Sequence, residues 1–272
     1  MLRRDFTLDK KKYLFVEDMT RSHDMPDPHY HNYYEIYFLI YGKCNFSVED
    51  HIYQLKKNEM LIIPPGMIHC GFEYLEKSRR IVINFSKNSI GDEFAKQLSQ
   101  FRTDSFYIPP NATYVYELMT KLLDEYNGID SLSEKMKFCQ LHLLLEYVIR
   151  SRARFQHAPQ NRLIETTEGF MKYVADNYSE DISVSNLSKE FGYSANYISK
   201  IFKEVSGIGF NQYLTLHRIK NAEYLLSTTS KSISEIAASC GFNDSNYFST
   251  AFKKTHGISP SKYRNMRQGV QK

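Results

Sequence analysis

The sequence predicts a two-domain α+β protein, with a β-barrel first, amphipathic helices next and an all-α domain last. Three patterns carry that expectation: short β-branched and aromatic runs over residues 30 to 85, a three- and four-residue apolar period from about 111, and an internal repeat near the C-terminus. A chain of 272 residues exceeds one average domain, and 42% apolar with 24% charged content is ordinary for a folded protein. No window approaches the roughly 18 uninterrupted apolar residues of a membrane span. MLRRDFTLDKKKYLF has no apolar signal core, so a cytoplasmic protein with no membrane partner is expected.

In the first unit, EIYFLIY, CNFSV, EMLIIP and RRIVINF are separated by the turn formers YGK, KKN and PPG, the spacing of an all-β sandwich or barrel, assigned to residues 1–110. TYVYELMTKLLDEY and SEKMKFCQLHLLLEYVIRSRARF, joined by NGIDS, read as two amphipathic helices over residues 111–156. In the second, Phe138, Leu141, Leu145 and Val148 recur at near-heptad spacing and Leu144 widens the stripe. One helix face can pack on the barrel and another on a second subunit, so a homodimer is expected. HAPQN opens a linker placed at 157–168, and the all-α domain follows at 169–272. Cys44, Cys70, Cys139 and Cys240 lie far apart with no CxxC pairing, which argues against a disulfide framework or a thiolate zinc site; free buried thiols are expected. Charge is balanced through residue 160, and the whole excess of +4 falls after it, favouring a C-terminal partner that is a polyanion.

The repeat aligns FGYSANYISKIFKEVSGIGFNQY with CGFNDSNYFSTAFKKTHGISPSKY: Gly192 with Gly241, then, after one residue inserted in the turn, Tyr197 with Tyr247, Ser199 with Ser249, Phe202 with Phe252 and Tyr213 with Tyr263. Each copy reads as helix, glycine turn, helix. Ser232 and Glu235 form a capping box before SEIAASC, Asp244 caps SNYFSTAFKK, and Ser194 caps ANYISKIFK. That is helix-turn-helix spacing, whose second helix enters the major groove of a DNA duplex. On the helical wheel Tyr197, Ile198, Ile201 and Phe202, with Tyr247, Phe248, Ala251 and Phe252, form the core-facing stripes. The other faces present Asn196, Ser199, Lys200 and Lys203 in one copy and Ser245, Asn246, Ser249, Thr250, Lys253 and Lys254 in the other. Short amides and hydroxyls suit base edges and lysines suit phosphates; a plainly solvated face is the alternative.

GYSANYISKIFKEVSGIGFNQYLTLHRIKNAEYLL followed by SISEIAASCGFNDSNYFSTAFKKTHGISPSKYR resembles the DNA-binding domain of AraC/XylS transcription regulators over about 170 to 267. The resemblance implies two helix-turn-helix units on one long joining helix, here about 208 to 226, set against successive major-groove segments of an operator. Arg218 and Arg264 are then candidates for phosphate contact or for ion pairing within the domain.

The N-terminal part resembles a cupin-type barrel. Its first motif is met by His29, His31, Glu35 and Gly42, and its second by Pro64, Gly66 and His69, with Asn58 in place of the usual glycine and Glu73 in place of the usual asparagine. Strand alternation puts His29, His31, Tyr33, Glu35, Tyr37, Leu39 and Tyr41 on one face if no bulge intervenes. Three readings of the cluster stand side by side: mutual pairing of the histidines and glutamate, a metal-free effector pocket using His29, His31, Tyr33, Glu35, Tyr37 and His69, or a divalent transition metal on His29, His31, Glu35 and His69. Together the resemblances imply a non-enzymatic, ligand-responsive regulator that binds a small molecule, with a sugar the class that family analogy suggests, and RNA polymerase if it is an activator. The competing expectation is a metal-dependent cupin enzyme carrying a DNA-binding tail.

Overall fold

YEIYFLIY carries apolar side chains on both faces, so its strand needs a layer on each side. The computed structural model describes residues 13–21, 28–74, 77–152, 162–206 and 208–268. Its strands are β1 (Leu14–Arg21), β2 (Tyr34–Tyr41), β3 (Cys44–Val48), β4 (His51–Leu55), β5 (Met60–Ile63), β6 (His69–Tyr74), β7 (Ser78–Phe85) and β8 (Phe106–Tyr107). They pair as a five-stranded antiparallel sheet, β1-β7-β2-β5-β8, and a three-stranded one, β4-β3-β6. Tyr37, Leu39, Phe46, Leu61 and Ile63 fill the space between the sheets. Ile36, Phe38, Ile62, Ile81 and Ile83 point the opposite way, into a second core shared with helices.

Two expectations change here. The barrel is two facing sheets: among the described residues no pairing closes them into one cylinder, and the large sheet ends in a two-residue strand too short to carry the staggered register that closure needs. Strand β1 also lies upstream of the expected β region. Its charged LFVEDMTR holds because Leu14 and Val16 are buried while Asp18 pairs with Arg79 on β7 at 2.6 Å. A register shift between Leu39 and Tyr41 ends the simple alternation and leaves Tyr41 exposed.

Helices α1 (Lys87–Leu98), α2 (Ala112–Asn127) and α3 (Ser133–Arg152) cover the outer face of the large sheet. The near-heptad stripe of α3 is spent on this cover: Leu141, Leu144, Leu145 and Val148 are fully buried within the chain. Helix α1 was not legible, because Gly91 at φ 78 breaks it and with it the apolar period. All four cysteines are free, and Cys139 is exposed rather than buried.

The C-terminal helices are α4 (Arg162–Asn177), α5 (Val184–Phe191), α6 (Ala195–Ser206), α7 (Phe210–Thr228), α8 (Ile233–Ser239), α9 (Ser245–His256) and α10 (Pro260–Arg267). HAPQN lies outside the described residues. The rest of the expected linker, 162–168, belongs to α4, whose Thr167, Phe170, Met171 and Val174 are fully buried and extend the helix upstream. Phe170, Leu187, Ile198, Phe202 and Tyr213 form the core of the first helical unit; Ile219, Leu226, Ile236, Phe248 and Phe252 form that of the second. Helix α7 contributes to both, so it fixes one unit relative to the other.

Candidate functional site

Each helix-turn-helix begins from a local capping signal. In α8 the Ser232 hydroxyl accepts from Glu235 N–H at 3.1 Å, and the Glu235 carboxylate accepts from Ser232 N–H at 2.7 Å. Asp244 accepts from Asn246 N–H at 2.8 Å to open α9, and Ser194 accepts from Tyr197 N–H at 3.2 Å to open α6. These caps satisfy N–H groups at the ends that face outward. On α6, Asn196, Ser199, Lys200 and Lys203 are exposed; on α9, Asn246, Thr250, Lys253 and Lys254 are exposed and Ser245 and Ser249 half-buried. Ser249, Thr250, Lys253, Lys254 and Ser259 border one shallow depression.

Tyr197 and Tyr247 correct the helical wheel. Both fall on the wheel's core stripe, yet they are 38% and 57% exposed, while Ile198, Phe202, Phe248 and Phe252 are buried. Two fully buried side chains per helix, Ile198 with Phe202 and Phe248 with Phe252, already fill the small core, and the tyrosines at the helix starts are left beside the polar face. Their equivalence in the repeat was the signal that could have found them. Arg218 and Arg264 are engaged within the domain: Arg218 donates to the carbonyls of Tyr178 and Glu180 at 2.8 Å, and Arg264 donates to Lys231 O at 2.5 Å.

In the N-terminal domain the two quoted motifs meet. His29 and His69 exchange backbone hydrogen bonds at 3.1 and 2.9 Å, and Gly66 N–H donates to His31 O at 2.7 Å. Asn58 takes φ 70, a left-handed conformation that asparagine tolerates, so its substitution for glycine is conservative of the turn. His29, His31, Glu35 and His69 converge, with one donor atom from each within 4.8 Å of the others. His31 Nδ1 and His69 Nδ1 lie 3.0 and 2.9 Å from the carbonyls of Tyr33 and Met67, and both Nε2 atoms lie 3.0 Å from the same Glu35 oxygen. Burial raises the Glu35 carboxyl, but the adjoining His31 and His69 outweigh it and hold the group well below its ordinary value. Burial pushes the His31 imidazole down.

With the Nδ1 atoms of His31 and His69 anchored on carbonyls, their two Nε2 atoms converge on one Glu35 carboxylate oxygen, which brings together the donor types a divalent transition metal takes. His29, His31, Glu35 and His69 would hold such an ion, which would supply a Lewis-acidic position. Tyr33 stacks on His31, ring centroids 3.7 Å apart. Tyr37 is fully buried against Phe46, with the Arg80 guanidinium 5.0 Å from its ring centre.

Comparison with known proteins decides the family. A profile described as an AraC-like ligand binding domain matches residues 14–72, and one described as a helix-turn-helix domain matches residues 187–266. The chain belongs to the AraC family of transcriptional regulators.

This AraC-type chain is 27% identical over 239 residues to the Msm operon regulatory protein of Streptococcus mutans, covering 85% of this chain and 84% of that protein. Against the HTH-type transcriptional activator RhaR of Salmonella dublin it is 23% identical over 276 residues, covering 98% and 96%. It is 37% identical over 97 residues to the HTH-type transcriptional regulator YijO of Escherichia coli, covering 36% of this chain and spanning only 34% of that relative's length. Among the described residues no helix is long and apolar enough to cross a membrane.

Proposed function

We propose that this AraC-type regulator binds a specific operator through α6 and α9, under the control of a small molecule, with a sugar the first class to test, held by the N-terminal domain. The observation that carries the reading is the paired polar face of α6 and α9, held on one rigid helix, α7, whose side chains belong to both cores. Asn196, Ser199, Ser245, Asn246, Ser249 and Thr250 serve as base-edge contacts, and Lys200, Lys203, Lys253 and Lys254 as phosphate contacts. His29, His31, Tyr33, Glu35 and His69 form the sensing end, with or without a metal. RNA polymerase is the further partner of an activator, and two chains act as a homodimer.

Operators selected from a random duplex library test this directly. Asn246→Ala is expected to lose about 1–3 kcal/mol of discrimination while retaining affinity for random DNA. Lys254→Ala is expected to weaken binding to every sequence and to lower the salt slope by about 1. Equal losses for both variants on selected and random DNA defeat the assignment. A metal-dependent enzyme is the rival: stoichiometric metal in the purified protein, lost in His31→Ala and His69→Ala, together with turnover, would favour it.

A further inference from the structure

Tyr197 and Tyr247 are the third residues of α6 and α9, equivalent positions of the two helix-turn-helix units. Both rings are exposed, and neither hydroxyl makes a hydrogen bond among the described residues. Each ring is braced by the residue that follows the turn glycine. Tyr197 stacks on Tyr193, ring centroids 5.0 Å apart and 23° between planes, and Tyr247 leans on Phe242 at 6.1 Å and 53°. The braces are themselves fixed. Tyr193 O accepts from the Ser188 hydroxyl at 2.6 Å, Phe242 N–H donates to Ala237 O at 3.0 Å, and the Arg218 guanidinium lies 5.8 Å from the Phe242 ring centre. A ring held in this way has little freedom left to lose on meeting a partner.

Helical geometry says what such a ring would meet. At about 100° of turn per residue, Asn196, Ser199, Lys200 and Lys203 centre on one direction and Tyr197 lies roughly 110° from it. Tyr247 holds the same angle to the polar face of α9. The opposite flanks carry Phe202 and Phe252, which are buried in the two helical cores. A helix about 10–12 Å across nearly fills a major groove about 12 Å wide, so the face on the groove floor meets base edges and a flank meets a wall of sugar and phosphate. With one flank of each helix held by its own domain, the tyrosine flank is the one left for that wall. A phenol suits it: the ring covers deoxyribose, and the hydroxyl donates to a phosphate oxygen.

We infer that Tyr197 and Tyr247 are paired backbone clamps for the operator, each donating its hydroxyl to one phosphate on the equivalent wall of its major-groove segment. This role rests on the DNA-binding reading proposed above and adds to it two positioning residues that carry no charge and read no base. Anchored at the start of each recognition helix, they set the depth and register at which the neighbouring Asn196 and Asn246 reach base edges.

The test is fluorescence anisotropy of the full chain on a selected operator and on random duplex, across a salt series, for Tyr197→Phe and Tyr247→Phe with Lys254→Ala as the charged reference. Tyr→Phe keeps the ring and its packing on the turn. Each variant is expected to bind both duplexes about tenfold more weakly, the loss of one hydrogen bond to a charged group. Its salt slope should equal that of the unaltered chain, because a neutral donor releases no counter-ion, whereas Lys254→Ala lowers the slope by about 1. Ethylation interference gives a second readout: in each groove segment one phosphate whose ethylation weakens the unaltered chain should cease to matter in the matching Tyr→Phe variant. Affinity within twofold of the unaltered chain, or an unchanged ethylation pattern, overturns the clamp for that helix and leaves its ring as packing on the turn. A loss confined to the selected operator overturns the phosphate assignment in favour of base reading. An unaltered chain that selects no operator and binds no duplex sinks the DNA-binding reading itself, before any tyrosine variant is compared.

Discussion

Gly192 and Gly241 close the same turn in the two helical units, and both are left-handed, at φ 73 and φ 80. Their surroundings differ. A Cβ at Gly241 would lie 2.8 Å from the carbonyl oxygens of Tyr178 and Ser179, whereas at Gly192 nothing lies within 4 Å. Gly192→Ala is expected to cost only the left-handed backbone strain, about 1–2 kcal/mol, and Gly241→Ala at least about 3 kcal/mol because backbone must shift. Urea unfolding of the two variants measures the difference; equal costs would mean the close approach at Gly241 is relaxed away. His217 on α7 offers a second residue-scale prediction. Burial pushes its imidazole down to about 4 from an ordinary 6.5, among the charges of Glu49, Lys220 and Asp50. Between those two pH values the unfolded chain binds a proton that the folded chain does not. Stability that is fully present above pH 6.5 is therefore lost as pH falls to 4, by about 3 kcal/mol. His217→Leu should flatten that part of the stability profile, and an unchanged slope would show that the acid loss arises elsewhere.

At the scale of the element, α3 shows how one helix face can be misassigned between a core and an interface. Leu144 is fully buried on the large sheet, whereas Leu143, one position away, is 52% exposed. Leu144→Ala is expected to cost about 2–5 kcal/mol of unfolding free energy. Leu143→Glu should leave stability within about 0.5 kcal/mol and, if the outer side of α3 carries the proposed homodimer, shift the chain to monomer in sedimentation velocity. The helix-turn-helix units were the most legible elements. The Ser232–Glu235 capping box, Asp244 and Ser194 were readable because capping depends on residues within three positions of each other. β1 and α1 were not, since the charges of the first are offset across β7 and the second is broken at Gly91.

At the scale of the molecule, the two domains are joined by specific contacts of long sequence separation. The Tyr213 hydroxyl donates to Glu49 O at 3.0 Å, Ile52 N–H donates to Glu168 Oε1 at 2.9 Å, and Ile52 and Cys70 pack into the core of the first helical unit. Because Ile52 N–H finds its acceptor on α4, its exchange with solvent reports on docking. Glu168→Ala is expected to accelerate that exchange at least tenfold with little change in the β2 amides, which are bonded within the sheet; unaltered exchange at Ile52 would mean that the contact does not hold the domains together.

The duplicated helical unit, its caps and most of its polar faces follow from the sequence alone, because helical period and capping are local properties. The convergence of His29, His31, Glu35 and His69 was readable for the related reason that alternation sets the faces of a strand, with His69 placed by its motif. Only the tertiary structure decided that Tyr37 is core, that Tyr197 and Tyr247 face outward, and that Tyr30 and Asn32 meet α7 and α10 across a cavity. Those outcomes depend on which surfaces meet when two domains dock, and no spacing within either domain encodes the other's shape.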